Sequence, residues 1–462
     1  MDSFDLVIRG GKLVTDQKVT NLDLGIRNGK IAAIGLGLLG EETIDANGFL
    51  VLPGGIDPHV HFQMPTATTM TSDDWFSGTK AAACCGGTTT VIDFVEPEMG
   101  ESLSEALRKR QDEADGNCWI DYALHMTIHN VEPMTLQAME SMRELGITSF
   151  KVYTTYEGMK LDQNKLRTVF EKAASIGSLC MVHAEADDLI QQTIAQFVKE
   201  KKTAPSWFPE SRPAQAEIEA VKNCIALTAG TNLILYVVHL STSAAIDLVD
   251  QARKDGKNII AETCPQYLLL NKNLFTDNDQ VTAASLICSP PLREAGENQA
   301  IWSAVEAEKI QSIGSDHCSF TIDPQKRSGL DDFRKVPGGL PGVELRLPLL
   351  YTFGVRAGHL NLTEWVRLCS SQPAKIFGLY PKKGSLTVGA DADIVLFDPE
   401  KEVVVQQTML HENVDYTPYA GLKLTGYPVM TIVKGNVLIK DGELVSEKKA
   451  GSFLKCNQPE FL

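Results

Sequence analysis

Eight stretches of this sequence share one rhythm: a short apolar run of strand length, then a longer segment whose apolar residues recur at helical spacing. The runs are GGIDPHVHF (54–62), TTTVIDFVEP (88–97), WIDYALHMTI (119–128), SFKVYTTY (149–156), LCMVHAE (179–185), LILYVVHLS (233–241), NIIAETCPQYLLL (258–270) and IQSIGSDHCS (310–319). Such alternation builds a parallel sheet with helices packed outside it. Eight units are the number that closes a (β/α)8 barrel of the TIM type.

The two ends of the chain read differently. DLVIRGGKLVT (5–15) alternates apolar and polar residues, and LDLGIRNGKIAAIG (22–35) carries Asn28-Gly29, a strong hairpin pair. Near the other end, ADIVLFDP (392–399) and PVMTIVKGNVLIKDGELV (428–445) repeat the style, with turns at Lys434-Gly435-Asn436 and Lys440-Asp441-Gly442. Each β segment is too small to stand alone. They are expected to pair into one small β-sandwich, residues 1–52 with 384–462, beside a barrel of residues 53–383.

Composition narrows the partners. Lys and Arg number 43 against 59 Asp and Glu, a net charge of −16, and such a field repels nucleic-acid phosphates and anionic membranes. No run approaches the ~18 apolar residues of a membrane span. The opening MDSFDLVIRGG lacks the basic and apolar regions of a secretory signal. Ten cysteines without a CxxC pair, several inside apolar runs such as SLCMVH and LICSPP, fit buried thiols in a reducing cytoplasm better than a disulfide framework.

A barrel of this kind places its chemistry where strands end and loops begin. The first run ends in His59-Val60-His61, whose histidines face the same way by period-two alternation. Lys151 lies inside an apolar strand, where an amine must neutralise, snorkel or find partners. His183, His239 and Asp316 end the fifth, sixth and eighth runs. Any one of these is unremarkable; together, at the same end of five strands, they read as a metal site. Imidazole and carboxylate suit Zn²⁺ and related ions. The set is too large for one catalytic ion with an open position, and it serves two only if a ligand is shared. A lysine that has taken up CO₂ becomes a carbamate, which could bridge two cations roughly 3.5–4 Å apart.

Other candidates read as structural. His125 and His129 flank the third strand, His317 points away from Asp316, and Cys264 and Cys318 have no vacant role as thiolates. Gly86-Gly87 precedes a strand, so it offers no helix start to cradle a phosphate.

These segments, with SGTKAAACCGGTTTVIDF, CSPPLR and KIFGLYPKKGSLTVGADADIVLFDP, resemble the amidohydrolase superfamily, and within it the dihydropyrimidinase and D-hydantoinase group of cyclic amidohydrolases. The resemblance covers the whole chain. It implies two divalent ions, His59, His61 and Asp316 on one, His183 and His239 on the other, and N6-carboxylated Lys151 between them. It implies Asp316 as general base then acid, Tyr156 as donor to the carbonyl oxygen, and Ser289 with Gly338 against the ring amide. The implied substrate is a small cyclic amide and the implied assembly a homotetramer. Two positions bear on the subgroup. Phe62 and Gln63 follow His61, where dihydroorotases typically carry an arginine for the substrate carboxylate. Gly338 stands where the dihydropyrimidinase pattern usually has Asn. The 62–72 loop is expected to wall the site. Allantoinase is the alternative enzyme; a scaffold relative that has lost ligands is disfavoured, because all six positions are filled.

Overall fold

The computed structural model describes residues 3–66 and 68–461; within the 62–72 loop, Ala67 lies outside the described residues. Eight parallel strands follow one another in chain order: Gly55–Val60, Thr88–Val95, Asp121–Thr127, Ser149–Tyr153, Leu179–His183, Ile234–Val237, Ile259–Thr263 and Ser312–Ile313. The edges meet where Val60 pairs in parallel with His317 and the His61 N–H donates to the His317 carbonyl at 2.8 Å. That closure makes the sheet a barrel. All eight expected runs hold a strand.

The strands are apolar on both sides because helices cover the outside while side chains fill the inside. Thr88–Val95 and Asp121–Thr127 are buried at every position. Ile56, Ile92, Ala123, Met181, Tyr236 and Ile260 meet within the barrel. Outside, Gln163–Ser175 buries Leu166, Val169, Phe170 and Ala173, the i, i+3, i+4, i+7 stripe of a surface helix. Its start is set by Asp162, whose side chain accepts from the Lys165 N–H.

The two ends of the chain do share a β-sandwich. Ile394–Val404 pairs antiparallel with both Leu50–Pro53 and Lys423–Val433 in a seven-stranded sheet. A four-stranded sheet that includes Phe4–Arg9 and Asp23–Arg27 packs on it. Between them lie Leu6, Ile8, Leu24, Ile26, Val51, Ile394, Leu396 and Ile432. Each such side chain gains ~1.5–3 kcal/mol on full burial, and only when both ends of the chain are present. The Asn28-Gly29 turn has φ of 52° and 72°, the doubly left-handed conformation that suits a two-residue hairpin. A Cβ on Gly29 would lie 2.9 Å from the Lys434 carbonyl oxygen, so the first hairpin turn rests directly on the last.

At the N-terminal end of the barrel, Lys383 joins the two units. Its ammonium lies 2.6 Å from Asp121, 3.0 Å from Asp391 and 2.6 Å from Asp393. Lys434 and Lys30 complete the group through Asp121 and Asp391. Three lysines thus face three aspartates. Beyond the sandwich the chain returns to the barrel, where the Leu454 N–H donates to the Tyr122 carbonyl at 2.7 Å. All ten cysteines are buried free thiols. Among the described residues no helix is long and apolar enough to cross a membrane.

Candidate metal centre and substrate cavity

The C-terminal ends of the strands open into a cavity of about 900 Å³. His59, His61, Lys151, Tyr156, His183, His239, Ser289, Asp316 and Gly338 all line it. Nine residues chosen from separate stretches of sequence therefore share one chamber.

Within it, His59 Nε2 and His61 Nε2 approach the same Asp316 oxygen at 3.3 and 3.4 Å. These three side chains form a group able to hold a metal ion. Beside them, His183 Nδ1 and His239 Nε2 lie 2.9 Å apart. Burial holds His59, His183 and His239 below the ordinary imidazole range, so they present lone pairs rather than charge. Nδ1 of His61 and of His239 is buried without a hydrogen-bond partner among the described residues. Converging neutral imidazole nitrogens beside the Asp316 carboxylate are the donor set that suits a bound cation.

Neighbouring side chains aim these rings. Glu262 takes His59 Nδ1 at 2.8 Å, the Tyr236 hydroxyl at 2.6 Å and the His239 N–H at 3.0 Å. Glu185 takes His183 Nε2 at 2.7 Å and is itself paired with Arg212. Carboxylates behind imidazoles fix the ring orientation and leave the other nitrogen for the metal. Neither glutamate was singled out from sequence. Glu262 carried a usable signal, a charged group inside an apolar strand, the same oddity that marked Lys151.

Lys151 is 1 % exposed, and its amine sits 5.2 Å from the Phe94 ring and 5.3 Å from that of Tyr153. Burial lowers its pKa to about 8. Asp316 moves the other way from what burial dictates. Burial alone would raise its carboxyl, but His59, His61 and Lys151 hold it below the usual range. Burial raises the Tyr156 phenol to about 12, with Ser289 in hydrogen-bonding reach of it. Tyr156, His239 and Asp316 have φ of 78°, 39° and 51°. A non-glycine residue held there costs ~1–3 kcal/mol, a cost that clusters at functional sites.

Met64, Pro65 and Thr66 of the 62–72 loop line the cavity, and Ile194, Phe208, Phe333 and Val336 add an apolar lining from other segments. Lys326, fully buried, donates to the carbonyls of Ile287 at 3.2 Å and Pro337 at 3.3 Å. It ties together the two segments that bear Ser289 and Gly338.

The remaining candidates lie where structural roles place them. His125 is held between Ser149 and the Pro58 carbonyl, and burial lowers it to about 3. His129 meets the Pro97 carbonyl at 2.7 Å. His317 faces away from the cavity; against the effect of burial, Asp73 and Glu412 lift it to about 10.

The model of the amidohydrolase family matches residues 50–438. A D-hydantoinase of Ralstonia pickettii is 41% identical over 454 residues, covering 98% of each chain. A D-hydantoinase of Rhizobium radiobacter is 41% identical over 455 residues, again covering 98% of each. The crystal structure of a dihydropyrimidinase from Brevibacillus agri NCHU1002 superposes with a TM-score of 0.96 at 39% identity, covering 98% of this chain and 99% of that one. With a barrel, a composite sandwich and sequence likeness along its whole length, the chain belongs to the amidohydrolase family, in its hydantoinase and dihydropyrimidinase group.

Proposed function

We propose that this protein is a metal-dependent hydrolase that opens a cyclic amide to an N-carbamoyl amino acid, acting on a dihydropyrimidine such as 5,6-dihydrouracil or on a 5-substituted hydantoin. The observation that carries this reading is the convergence of His59, His61, Lys151, His183, His239 and Asp316 on one cavity. The relatives described above are hydantoinases and a dihydropyrimidinase, which favours these rings over allantoin. In this reading His59, His61 and Asp316 hold one Zn²⁺, His183 and His239 hold another, and a Lys151 carbamate joins them. Only a neutral amine adds CO₂. With a pKa of about 8, roughly a tenth of Lys151 is neutral at pH 7, against fewer than ~1 in 1,000 for an ordinary lysine.

Cations held by these residues would supply Lewis acidity for the ring carbonyl and lower the pKa of bound water. Asp316, kept ionised by its neighbours, accepts a proton from the attacking water and returns it to the ring nitrogen as the C–N bond breaks. Tyr156 retains its proton at neutral pH and donates to the carbonyl oxygen as negative charge develops there. Ser289 and the backbone at Gly338 hold the ring amide, and Ile194, Phe208, Phe333 and Val336 receive an apolar ring substituent. Residues 53–383 form the catalytic unit and 1–52 with 384–462 its support. The enzyme works in the cytoplasm as a homotetramer, a location that ten buried free thiols support.

The test is a substrate panel: dihydrouracil, hydantoin, 5-substituted hydantoins, dihydroorotate and allantoin, offered to protein loaded with Zn²⁺ or Mn²⁺ and bicarbonate. Ring opening of the first three groups is expected. Turnover of dihydroorotate or allantoin alone overturns the assignment.

A further inference from the structure

A second cluster of metal-binding side chains lies outside the catalytic cavity. Cys85 follows the helix Trp75–Cys84, Glu344 precedes the helix Arg346–Leu350, and His411 lies in the segment that follows Ile394–Val404. The thiol, carboxylate and imidazole ligand atoms are all within 4.8 Å of one another. A tetrahedral ion bonded at ~2.0–2.3 Å to each ligand sets them roughly 3.3–3.8 Å apart. His411 Nδ1 and Glu344 Oε1 are at 2.6 Å, so a shift of under about 1 Å would admit an ion of that size. Cys85 and Glu344 are buried, while His411 is partly exposed, which gives an entry path.

Two further observations point to a cation. The Tyr427 hydroxyl is buried and meets the Cys85 thiol, which places a further oxygen donor beside the three ligands. Glu412, also buried, lies against the same segment, where its carboxylate accepts from the Glu344 N–H at 3.3 Å, so the surroundings of the cluster are acidic.

We propose that Cys85, Glu344 and His411 form a structural site for one borderline-soft divalent cation of the Zn²⁺ class, separate from the catalytic cavity. A thiolate with an imidazole and a carboxylate selects that class over Mg²⁺ or Ca²⁺. Water takes the fourth position, at the edge where His411 meets solvent. The ion pins the 406–416 segment to the barrel, where the Asn413 N–H already donates to Asp73 at 2.8 Å.

Cys288 and Cys318 line the catalytic cavity, so the thiolate signal is assigned to the new site by its loss in Cys85→Ala, whatever the fate of the catalytic assignment. The full chain is stripped of metal, reloaded with Co²⁺ and examined in the near ultraviolet. A thiolate-to-cobalt charge-transfer band is expected in the wild type and in His61→Ala, and its loss in Cys85→Ala. Zinc content should fall by one equivalent per chain in His411→Ala, whose partly exposed position tolerates the change if Cys85→Ala does not fold; the band should vanish there too. Absence of the band in the wild type, or its persistence in either variant, overturns the site. So does unchanged zinc content in His411→Ala.

Discussion

At the two ends of one barrel a lysine is buried, and the two are held in opposite ways. Lys383, at the N-terminal end, touches three aspartates. Burial pulls its pKa down, but Asp393, Asp121 and Asp391 outweigh that and raise it. Lys151, at the C-terminal end, meets aromatic faces and the edge of an imidazole cluster, and burial wins. The same residue type is thus a firmly held cation in one place and an amine of lowered pKa in the other. At one end polar groups are paired off within the chain, which serves stability. At the other, ring nitrogens of His61 and His239 are left without hydrogen-bond partners among the described residues, which serves whatever binds there.

The comparison breaks if activity and stability do not separate between the two ends. Asp316→Asn should lower kcat by up to about 10⁴-fold, the upper range for loss of a general acid–base group, while the unfolding midpoint in urea hardly moves. Lys383→Met should do the reverse. It strands buried Asp393 and leaves Asp121 to Lys434 alone, and a broken buried pair costs about 3–5 kcal/mol; denaturation measures the loss, and kcat of the surviving folded enzyme stays close to wild type. A cost below about 1 kcal/mol, in the range of exposed pairs, would show that the lysine cluster is not the joint described here.

A pH series sharpens the contrast. In metal-free protein the folded pKa of Lys151 lies at about 8, below the ~10.4 of an unfolded lysine. Between those values the unfolded chain binds the extra proton, so stability rises with pH, by at most about 1.4 kcal/mol per unit from this group. Lys383 has the opposite sign. Its folded pKa is raised, so its contribution is complete below ~10.4 and is lost only as pH climbs beyond. Unfolding of metal-free wild type and Lys151→Met across pH 7–10 should show the wild type gaining stability relative to the variant; parallel curves refute the assignment. The smallest effect belongs to the residues behind the rings. Glu262→Gln should weaken metal affinity by about 10–100-fold, read by competition with a chelator, and leave the fold intact.

Legibility followed the range of the physical signal. The strands, the turns at Asn28-Gly29 and Lys434-Gly435, and the residues ending each strand are set by local periodicity and backbone preference, so they could be read one segment at a time. Lys151 stood out because a charge inside an apolar run violates its own neighbourhood. Glu262 breaks the same rule, but nothing nearby in the chain says that it reaches His59, 203 positions away. Lys326 gave no local sign at all. Its burial depends on two carbonyls from separate loops.

What the linear chain determined by itself is the barrel, the pairing of its two ends and the set of residues that crown the strands, because each follows from patterns a few residues long together with the count of eight. Only the tertiary structure decided the protonation of those residues, the apolar wall of Phe208 and Phe333, and the meeting of Cys85 with Glu344 and His411. These depend on burial and on contacts between residues tens to hundreds of positions apart: three aspartates raise the pKa of the lysine at one end of the barrel, and burial lowers that of the lysine at the other.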